Sequence, residues 1–392
     1  MQPLITPRLL MLLSFGGLIA FVVTLLATPV AARWAKRFGA MAVPRGRDVH
    51  DVPVPRWGGL AILFGFLVSV GCVVAACEAI LANCRIGSSS LEQGAGIVAG
   101  GILISIVGAM DDRQDLRPLP RLAGQIAASL LVCAAGVRVD YLTLPLLGQF
   151  NTHWLAVPLT AFWMLLLMNA INWLDGLDGL AGGVSCIVAT FMAAVALSSH
   201  QVCLAMLCVA LAGSTLGFLR HNYSPARIYM GGGAEFLGLV LASVSIVGAF
   251  KQITTVAFIV PLVALAVPII DSIHVVFRRA ASGARVYEAD RRHFHHVLVD
   301  MGLTKEQAVL ILYGITAALC LFAWVLFRHS PPSKLPPVSH PGLQAPAHPS
   351  SAENLPRTTQ ASPLPQPANR TPSVPAAAPG RPLRSLPANH SS

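Results

Sequence analysis

Three groups of polar residues stand out, because their side chains could bind phosphate groups and a divalent cation. The first is the run 108–115, Gly-Ala-Met-Asp-Asp-Arg-Gln-Asp, with the carboxylates of Asp111, Asp112 and Asp115 directly after an apolar segment. Adjacent carboxylates repel each other, so such a group favours cation binding or proton abstraction. On a helical turn, Asp111 and Asp115 would share a face. A charged helix end balanced by neighbouring arginines is the alternative interpretation.

The second group lies in the string 169–183, where Asn169, Asn172, Asp175 and Asp178 recur at every third position. The glycines that follow permit a tight turn and a close approach of the backbone to a ligand. Mg²⁺ usually takes one or two carboxylates together with substrate phosphates, so this string is typical of a magnesium site. A polar turn between two helices would explain one aspartate and one glycine, but it explains the whole string poorly.

The third group is the run 290–296, Asp-Arg-Arg-His-Phe-His-His. Arginine recognises phosphate and carboxylate through its planar fork, and histidine donates hydrogen bonds to phosphate or sugar oxygens. A zinc site is less well supported, because no cysteine is nearby and the acids elsewhere suit a harder ion. A solvated basic loop at the lipid headgroups is the alternative. The candidate residues here are Asp290, Arg291, Arg292, His293, His295 and His296.

The elements that must position these groups are membrane helices. Of the 392 residues, 55% are hydrophobic and only 11% are charged, against about 25% charged residues in soluble domains. This composition excludes a secreted domain, a soluble Rossmann-type enzyme and a disordered chain. It predicts an all-α polytopic membrane protein of about ten transmembrane helices. The predicted spans are 9–30, 58–80, 94–110, 121–137, 153–173, 179–198, 201–219, 235–250, 252–277 and 307–327.

Basic residues predict the orientation of these helices. The loops 31–57, 111–121, 220–234 and 278–306 hold 17 lysines and arginines, whereas the opposite loops hold only three. The positive-inside rule makes the basic side cytoplasmic, so the net charge of +10 reflects topology rather than binding of nucleic acid. Both termini are then outside. All three polar groups fall on the cytoplasmic side, which predicts cytoplasmic active-site loops.

The last part of the chain differs in character. Residues 329–392 hold 16 of the 29 prolines and a single acid, Glu353. Such a segment cannot bury enough apolar surface to fold. We therefore predict a transmembrane domain over residues 1–328 and a disordered, proline-rich tail over 329–392.

Taken together, the motifs resemble those of the polyprenyl-phosphate N-acetylhexosamine-1-phosphate transferase family, the MraY/WecA family. The resemblance covers roughly residues 10–327, and the second string is its most specific part. The forms of the arginine-glycine and histidine motifs are similar to the WecA-like branch, which uses UDP-GlcNAc. The matching pieces are Asp111-Asp112-x-x-Asp115, Asn172-x-x-Asp175-Gly-Leu-Asp178-Gly-Leu-Ala, Pro55-Arg56-x-Gly58-Gly59 and Asp290-x-x-His293-x-His295-His296.

The resemblance implies an enzyme of the bacterial inner (plasma) membrane, which begins a lipid-linked cell-envelope glycan pathway. It implies transfer of a sugar 1-phosphate, in this branch GlcNAc 1-phosphate, from a UDP-sugar to a polyprenyl (undecaprenyl) phosphate with release of UMP. The resemblance also implies Mg²⁺ as the cofactor, with Mn²⁺ as an alternative. The implied partners are the UDP-sugar, the polyprenyl phosphate and membrane lipid, without nucleic acid, and a homodimer is compatible with this description.

The same resemblance implies a role for each candidate residue. Asp111 is the candidate base or phosphate-activating carboxylate, and Asp112 and Asp115 support it. Asn172 and Asp175 would hold the metal. The implied substrate-binding residues are Asn169, Asp178, Arg56, Asp290, Arg291, Arg292, His293, His295 and His296.

One segment departs from the family pattern. The family carries a Met-Gly-Asp string before its eighth helix, and that aspartate is a magnesium ligand. Here Met230-Gly231 is followed by Gly232-Gly233-Ala234-Glu235, and the simplest alignment deletes the aspartate. An impaired or inactive member that binds lipid phosphate or UDP-sugar is therefore the alternative function, unless Glu235 compensates.

Two other classes of protein compete with the transferase. An intramembrane aspartyl protease would explain acids at helix ends, but it predicts a Gly-x-Gly-Asp string that the sequence lacks. A transporter or lipid-phosphate binder is favoured only by the missing aspartate. UMP release from a UDP-sugar separates the enzyme from both. The sequence leaves open the UDP-sugar, the lipid chain length, the downstream polymer and the oligomeric state.

Overall fold

The computed structural model describes residues 7–42, 53–80, 88–144, 148–250, 260, 262–282 and 294–329, and these are predominantly helical. The predicted all-α fold class is confirmed. The helices are α1 Pro7–Phe38, α2 Gly58–Ile80, α3 Ser88–Gln114, α4 Pro118–Ala134, α5 Ala156–Leu174, α6 Leu180–Ser198, α7 Val202–Asn222, α8 Gly233–Phe250, α9 Ala266–Ser282, α10 Phe294–Asp300 and α11 Lys305–His329.

Length and composition identify the helices that can cross a membrane. Among the described residues, seven helices are long and apolar enough to do so: α1, α2, α3, α5, α6, α7 and α11. Helices α4 and α8 are shorter apolar helices. Each predicted span overlaps a described helix. The protein is therefore a multi-pass membrane protein, as the composition predicts.

Helix ends differ from the predicted spans in two ways. Helices α1 and α3 extend beyond the predicted 9–30 and 94–110, because backbone hydrogen bonding continues after the apolar sequence stops. The predicted span 252–277 is described as α9 only from Ala266 onward, and residues 251–259 lie outside the described residues. Pro268 stands in the first turn of α9, where its missing N–H costs no helical hydrogen bond.

The bundle packs closely through small residues. Helix α1 contacts α2 and α7, α6 contacts α7 and α11, and α5 and α3 both contact α8. A Cβ on Gly213 of α7 would lie 2.2 Å from the carbonyl oxygen of Gly17 in α1. A Cβ on Gly217 would lie 2.4 Å from the carbonyl oxygen of Phe21. Small residues thus let these two backbones touch, as is common between membrane helices.

Two short antiparallel hairpins complete the described fold. Strand β1, Met41–Ala42, pairs with β2, Val54–Pro55. Strand β3, Tyr141–Leu144, pairs with β4, Gly148–Asn151. The first hairpin returns the chain from α1 to the start of α2 and so carries Arg56, whereas the second lies between α4 and α5 at the other end of the bundle.

Candidate active site

The loop between α5 and α6 carries the second polar group and is fixed by hydrogen bonds on both sides. Helix α5 ends at Leu174, so Asp175 is its first non-helical residue. The Asp178 carboxylate accepts a hydrogen bond from the N–H of Ala226, 2.9 Å away. Gly179 has a φ of +82°, which favours glycine, and its N–H donates to Oδ1 of Asn222. The glycines therefore form the tight turn that the sequence predicts.

Helix α11 supports this loop from outside the motif. The Tyr313 hydroxyl donates a 2.6 Å hydrogen bond to the carbonyl oxygen of Gly179. Gly183 makes room for the Tyr313 ring, because a Cβ there would lie 2.0 Å from ring atoms. The last described helix therefore holds the turn that presents Asp175 and Asp178.

Replacing Tyr313 by Phe tests this support. The change removes one of the two hydrogen bonds that the carbonyl of Gly179 accepts, the other coming from the N–H of Gly183, and this is expected to cost about 1 kcal/mol of stability. We expect the turnover number to fall by about threefold to tenfold, since one rate factor of ten corresponds to about 1.4 kcal/mol. Tyr141→Phe in β3, at the other end of the bundle, is the control. Unchanged turnover in Tyr313→Phe would show that the turn holds its conformation without the tyrosine.

The end of α3 carries the first polar group. Asp111 Oδ1 accepts a hydrogen bond from the N–H of Leu116, 2.9 Å away. Asp112 Oδ2 accepts one from the N–H of Gly232, 3.1 Å away, immediately before α8 begins. The expectation that Asp115 continues the helical face of Asp111 is wrong, because α3 ends at Gln114 and Asp115 has a φ of +51°. The chain must turn there to reach α4.

The segment 54–59 joins this end of α3 to the segment before α8. The N–H of Tyr229 donates to the carbonyl of Pro55, and the N–H of Gly58 donates back to the carbonyl of Tyr229. The indole N–H of Trp57 donates to the carbonyl of Ala109 in α3, 3.1 Å away. These bonds place Arg56 Nη1 3.9 Å from Asp112 Oδ1. The predicted arginine thus meets the predicted carboxylate.

The three glycines 231–233 lie where the family resemblance predicts an aspartate, and they leave no room for side chains. A Cβ on Gly231 would lie 2.2 Å from the carboxylate of Asp112. A Cβ on Gly232 would lie 2.2 Å from the Cα of Gly108 in α3, and one on Gly233 would lie 2.2 Å from the Cα of Gly59 in α2. The backbones of α2, α3 and α8 are therefore in direct contact here, and no space remains for a side chain.

The carboxylates at this end of the bundle interact electrostatically. Burial raises the pKa of Asp175 well above its ordinary value, and the like charges of Asp112 and Asp178 raise it further, against a smaller opposing effect of Arg56. Asp112, at the end of α3, and Asp175, at the end of α5, thus share one site in which the positive charge is too small to balance their negative charges. This donor set fits a divalent cation, which would stabilise their charged forms.

Protein ligands alone would not enclose such an ion. Within the described part of the chain, no group of three or more His, Cys, Asp and Glu side chains is arranged to hold a metal. A divalent cation at these aspartates would therefore need water or substrate phosphates to complete its coordination sphere.

A second polar network lies beside these aspartates, and sequence reasoning missed most of it. Glu235 Oε1 accepts hydrogen bonds from Arg121 and from Gln125. The amide of Asn169 donates to Gln125 Oε1, 3.0 Å away. Arg121 Nη1 also lies 3.7 Å from Asp111 Oδ2. The helical spacing of Arg121 and Gln125, one turn apart on α4, was the available signal.

This network changes the interpretation of two residues. Asn169 contacts Gln125 rather than the aspartates. Its predicted contact with substrate stays a prediction, and an effect of Asn169 on the substrate would be transmitted through this network. Glu235 has one carboxylate oxygen bound to Arg121 and Gln125 and is only 1% exposed. The sequence-based alternative that Glu235 compensates for the aspartate expected after Gly231 stays a prediction.

The remaining predicted residues are placed only in part. Asn172 lies in the last turn of α5, and its carbonyl accepts a hydrogen bond from the N–H of Asp175. His295 and His296 belong to α10, of which the structure describes the backbone. Asp290, Arg291, Arg292 and His293 lie outside the described residues.

A multi-pass helical bundle with aspartates, an arginine and glycine-rich turns at one end defines a class of protein, a membrane enzyme that handles phosphate groups. Comparison with known proteins agrees with this class. The chain matches the family described as glycosyl transferase family 4 over residues 95–249.

Full-length relatives extend the match beyond this segment. The chain is 35% identical over 314 residues to the probable undecaprenyl-phosphate N-acetylglucosaminyl 1-phosphate transferase of Bacillus subtilis (strain 168), which covers 79% of this chain and 84% of the relative. It is 35% identical over 337 residues to the decaprenyl-phosphate N-acetylglucosaminephosphotransferase of Mycobacterium tuberculosis (strain ATCC 25618 / H37Rv), covering 78% and 81%.

A more distant relative is the undecaprenyl-phosphate alpha-N-acetylglucosaminyl 1-phosphate transferase of Escherichia coli (strain K12), 27% identical over 321 residues, 79% of this chain and 82% of the relative. The chain belongs to the polyprenyl-phosphate N-acetylglucosamine-1-phosphate transferase family, as its motifs predict. The alternative of an inactive family member gains no support from these comparisons over the enzyme.

Proposed function

We propose that the protein transfers GlcNAc 1-phosphate from UDP-GlcNAc to a polyprenyl phosphate, undecaprenyl phosphate in particular, and releases UMP. One observation carries the proposal: the aspartates at the end of α3, the aspartates of the α5–α6 loop and Arg56 meet at one end of the bundle. The named activities of the relatives supply the sugar and the class of lipid.

In this reaction an oxygen of the lipid phosphate attacks the β-phosphorus of the UDP-sugar. The bond from that phosphorus to the bridging oxygen breaks, and UMP leaves with the bridging oxygen. Such transfer needs alignment and charge neutralisation more than covalent catalysis. We assign alignment and deprotonation of the lipid phosphate to Asp111, with Asp112 and Asp115 in support.

We assign a Mg²⁺ site to Asp175 and Asn172, next to Asp112, with Mn²⁺ as an alternative ion. When bound, the cation would neutralise the diphosphate and the leaving UMP. Arg56 is positioned to add a positive charge beside Asp112. Asp178, through its bond to the N–H of Ala226, fixes the loop that faces the nucleotide.

Sugar recognition is assigned to the third polar group, Asp290 to His296. Its arginines and histidines are suited to phosphate and sugar oxygens. We also propose that the site faces the cytoplasm in the bacterial inner membrane. The tail beyond His329 would then lie on the opposite, non-cytoplasmic side of the membrane. The excess of basic residues in the loops next to the site supports this orientation.

The decisive experiment measures UMP release by the purified protein in detergent. UDP-GlcNAc, UDP-GalNAc and UDP-glucose are each supplied with undecaprenyl phosphate, with Mg²⁺ or with EDTA. We expect release with UDP-GlcNAc that requires both Mg²⁺ and the lipid phosphate. Binding of lipid phosphate without UMP release from any of the three donors would overturn the proposal.

The raised pKa of Asp175 predicts a pH dependence of cation binding. Because this carboxyl keeps its proton to a higher pH than an ordinary aspartate, a cation must displace that proton. We expect Mn²⁺ affinity to increase as pH rises through the raised pKa and to decrease in mild acid. Titration of the substrate-free protein at several pH values measures this. In Asp175→Asn, affinity should be low and nearly independent of pH, and an unchanged pH profile would exclude Asp175 as its origin.

A further inference from the structure

The ion pair between Arg121 and Glu235 lies beside the aspartates of the proposed site. Arg121 lies in the first turn of α4 and Glu235 in the first turn of α8, so the pair joins two helices that are far apart in the sequence. The same guanidinium lies 3.7 Å from Asp111. One positive charge is therefore shared between a buried glutamate and an aspartate of the proposed site.

Glu235 is buried in this arrangement and is bound through one carboxylate oxygen. It is 1% exposed, whereas the Arg121 side chain is 27% exposed. Gln125 donates a second hydrogen bond to Glu235 Oε1 at 2.9 Å and is itself bound by Asn169. Oε2 of Glu235 is buried and has no hydrogen-bond partner among the described residues. The charge of this carboxylate is compensated by Arg121 and by the hydrogen bond from Gln125, since an unpaired buried charge is costly.

The charge of this pair reaches the proposed site. Glu235 interacts electrostatically with both Asp111 and Asp112. Its negative charge therefore adds to the negative potential of the aspartates, and the positive charge of Arg121 subtracts from it. The segment before α8, where the family resemblance predicts an aspartate, is thus followed by a carboxylate in the first turn of the helix that is bound to an arginine.

We propose that Arg121 and Glu235 are positioning residues that together orient Asp111 and set the charge of the cation site. Glu235 fixes the guanidinium on its buried side, and the guanidinium holds Asp111 on the other. This inference rests on the proposed function for its cation site. It concerns residues that touch neither the reacting phosphates nor the nucleotide in our assignment.

Mn²⁺ binding by the substrate-free protein tests the proposal. Glu235→Gln keeps the shape and a hydrogen-bonding group but removes the negative charge, so the Kd for Mn²⁺ is expected to rise by about threefold to tenfold. Arg121→Gln removes the positive charge, so the Kd is expected to fall by a similar factor, on the order of threefold to tenfold. The double variant should bind Mn²⁺ with nearly the wild-type Kd.

The opposite signs distinguish charge setting from a purely structural role. Loss of packing alone would weaken Mn²⁺ binding in both single variants, and that result, or an unchanged Kd in both, would overturn the proposal. Arg121→Lys keeps the charge and should keep the Kd even if its stability is lower. Glu92→Gln, an exposed carboxylate near the opposite end of α3, is the matched control. If the Kd for Mn²⁺ shifts as expected but no UMP is released, the proposed function is refuted and this inference still holds.

Discussion

Turnover is expected to fall by about 100- to 1,000-fold when Asp112 is replaced by Asn, the range typical for loss of one charge-stabilising group. Asp112 pairs with Arg56 and interacts with Asp175, so its charge contributes to both sides of the proposed site. The asparagine side-chain oxygen can still accept the hydrogen bond from the N–H of Gly232. The substitution therefore removes the charge while keeping the contact between α3 and α8.

This effect is measured as UMP release at saturating UDP-GlcNAc and lipid phosphate. Thermal unfolding in detergent should change little, because the packing is retained. Glu92→Gln, which also removes one carboxylate from α3, should turn over at the wild-type rate. If turnover of Asp112→Asn stays within about threefold of wild type, instead of falling by the roughly 100-fold expected, Asp112 serves only as a cap for α8.

Gly232→Ala is expected to produce the largest loss of stability. Its methyl group would lie 2.2 Å from the Cα of Gly108, and neither backbone can move without displacing α3 or α8. Overpacking of this kind costs about 1–3 kcal/mol or more. We expect a clearly lower unfolding temperature in detergent and a low yield of folded protein. Gly71→Ala in α2, where nothing lies within 4 Å of the added carbon, should leave both unchanged.

The same contact determines how the missing aspartate could be restored. Gly232→Asp would place a larger side chain against Gly108 and should fail as Gly232→Ala does. Insertion of an aspartate between Gly231 and Gly232 would lengthen the segment and could keep the glycines in contact. If the unmodified protein already turns over at the rate of the insertion variant, the aspartate is dispensable in this chain.

Sequence patterns predicted the helices and the turn of the site for physical reasons that are local. Among the described residues, each predicted apolar run overlaps a helix, because a buried or lipid-facing backbone must satisfy its own hydrogen bonds. The glycines after Asp175 and Asp178 predicted the tight turn, since a φ of +82° at Gly179 is open to glycine. The meeting of Arg56 and Asp112 follows from the resemblance, which places both motifs at the same site.

Contacts between distant helices could not be predicted in this way. The partnership of Arg121 with Glu235 joins residues from α4 and α8, and hydrophobic periodicity does not specify which helices are neighbours. The contact of Gly232 with Gly108 depends on how closely two backbones approach, which residue type alone does not reveal. The sequence predicts Asp115 on the same helical face as Asp111, but the chain already turns towards α4 at Asp115.

The hydrogen bond from Tyr313 to Gly179 has a consequence for the order of biosynthesis. Tyr313 lies in the last described helix, whereas the turn that it supports lies near the middle of the chain. Domains of a growing chain are synthesised from the N-terminus onward. A nascent chain that still lacks α11 therefore already contains Asp175 and Asp178 but not the contact that secures their loop, so completion of the site waits for the end of translation of this domain.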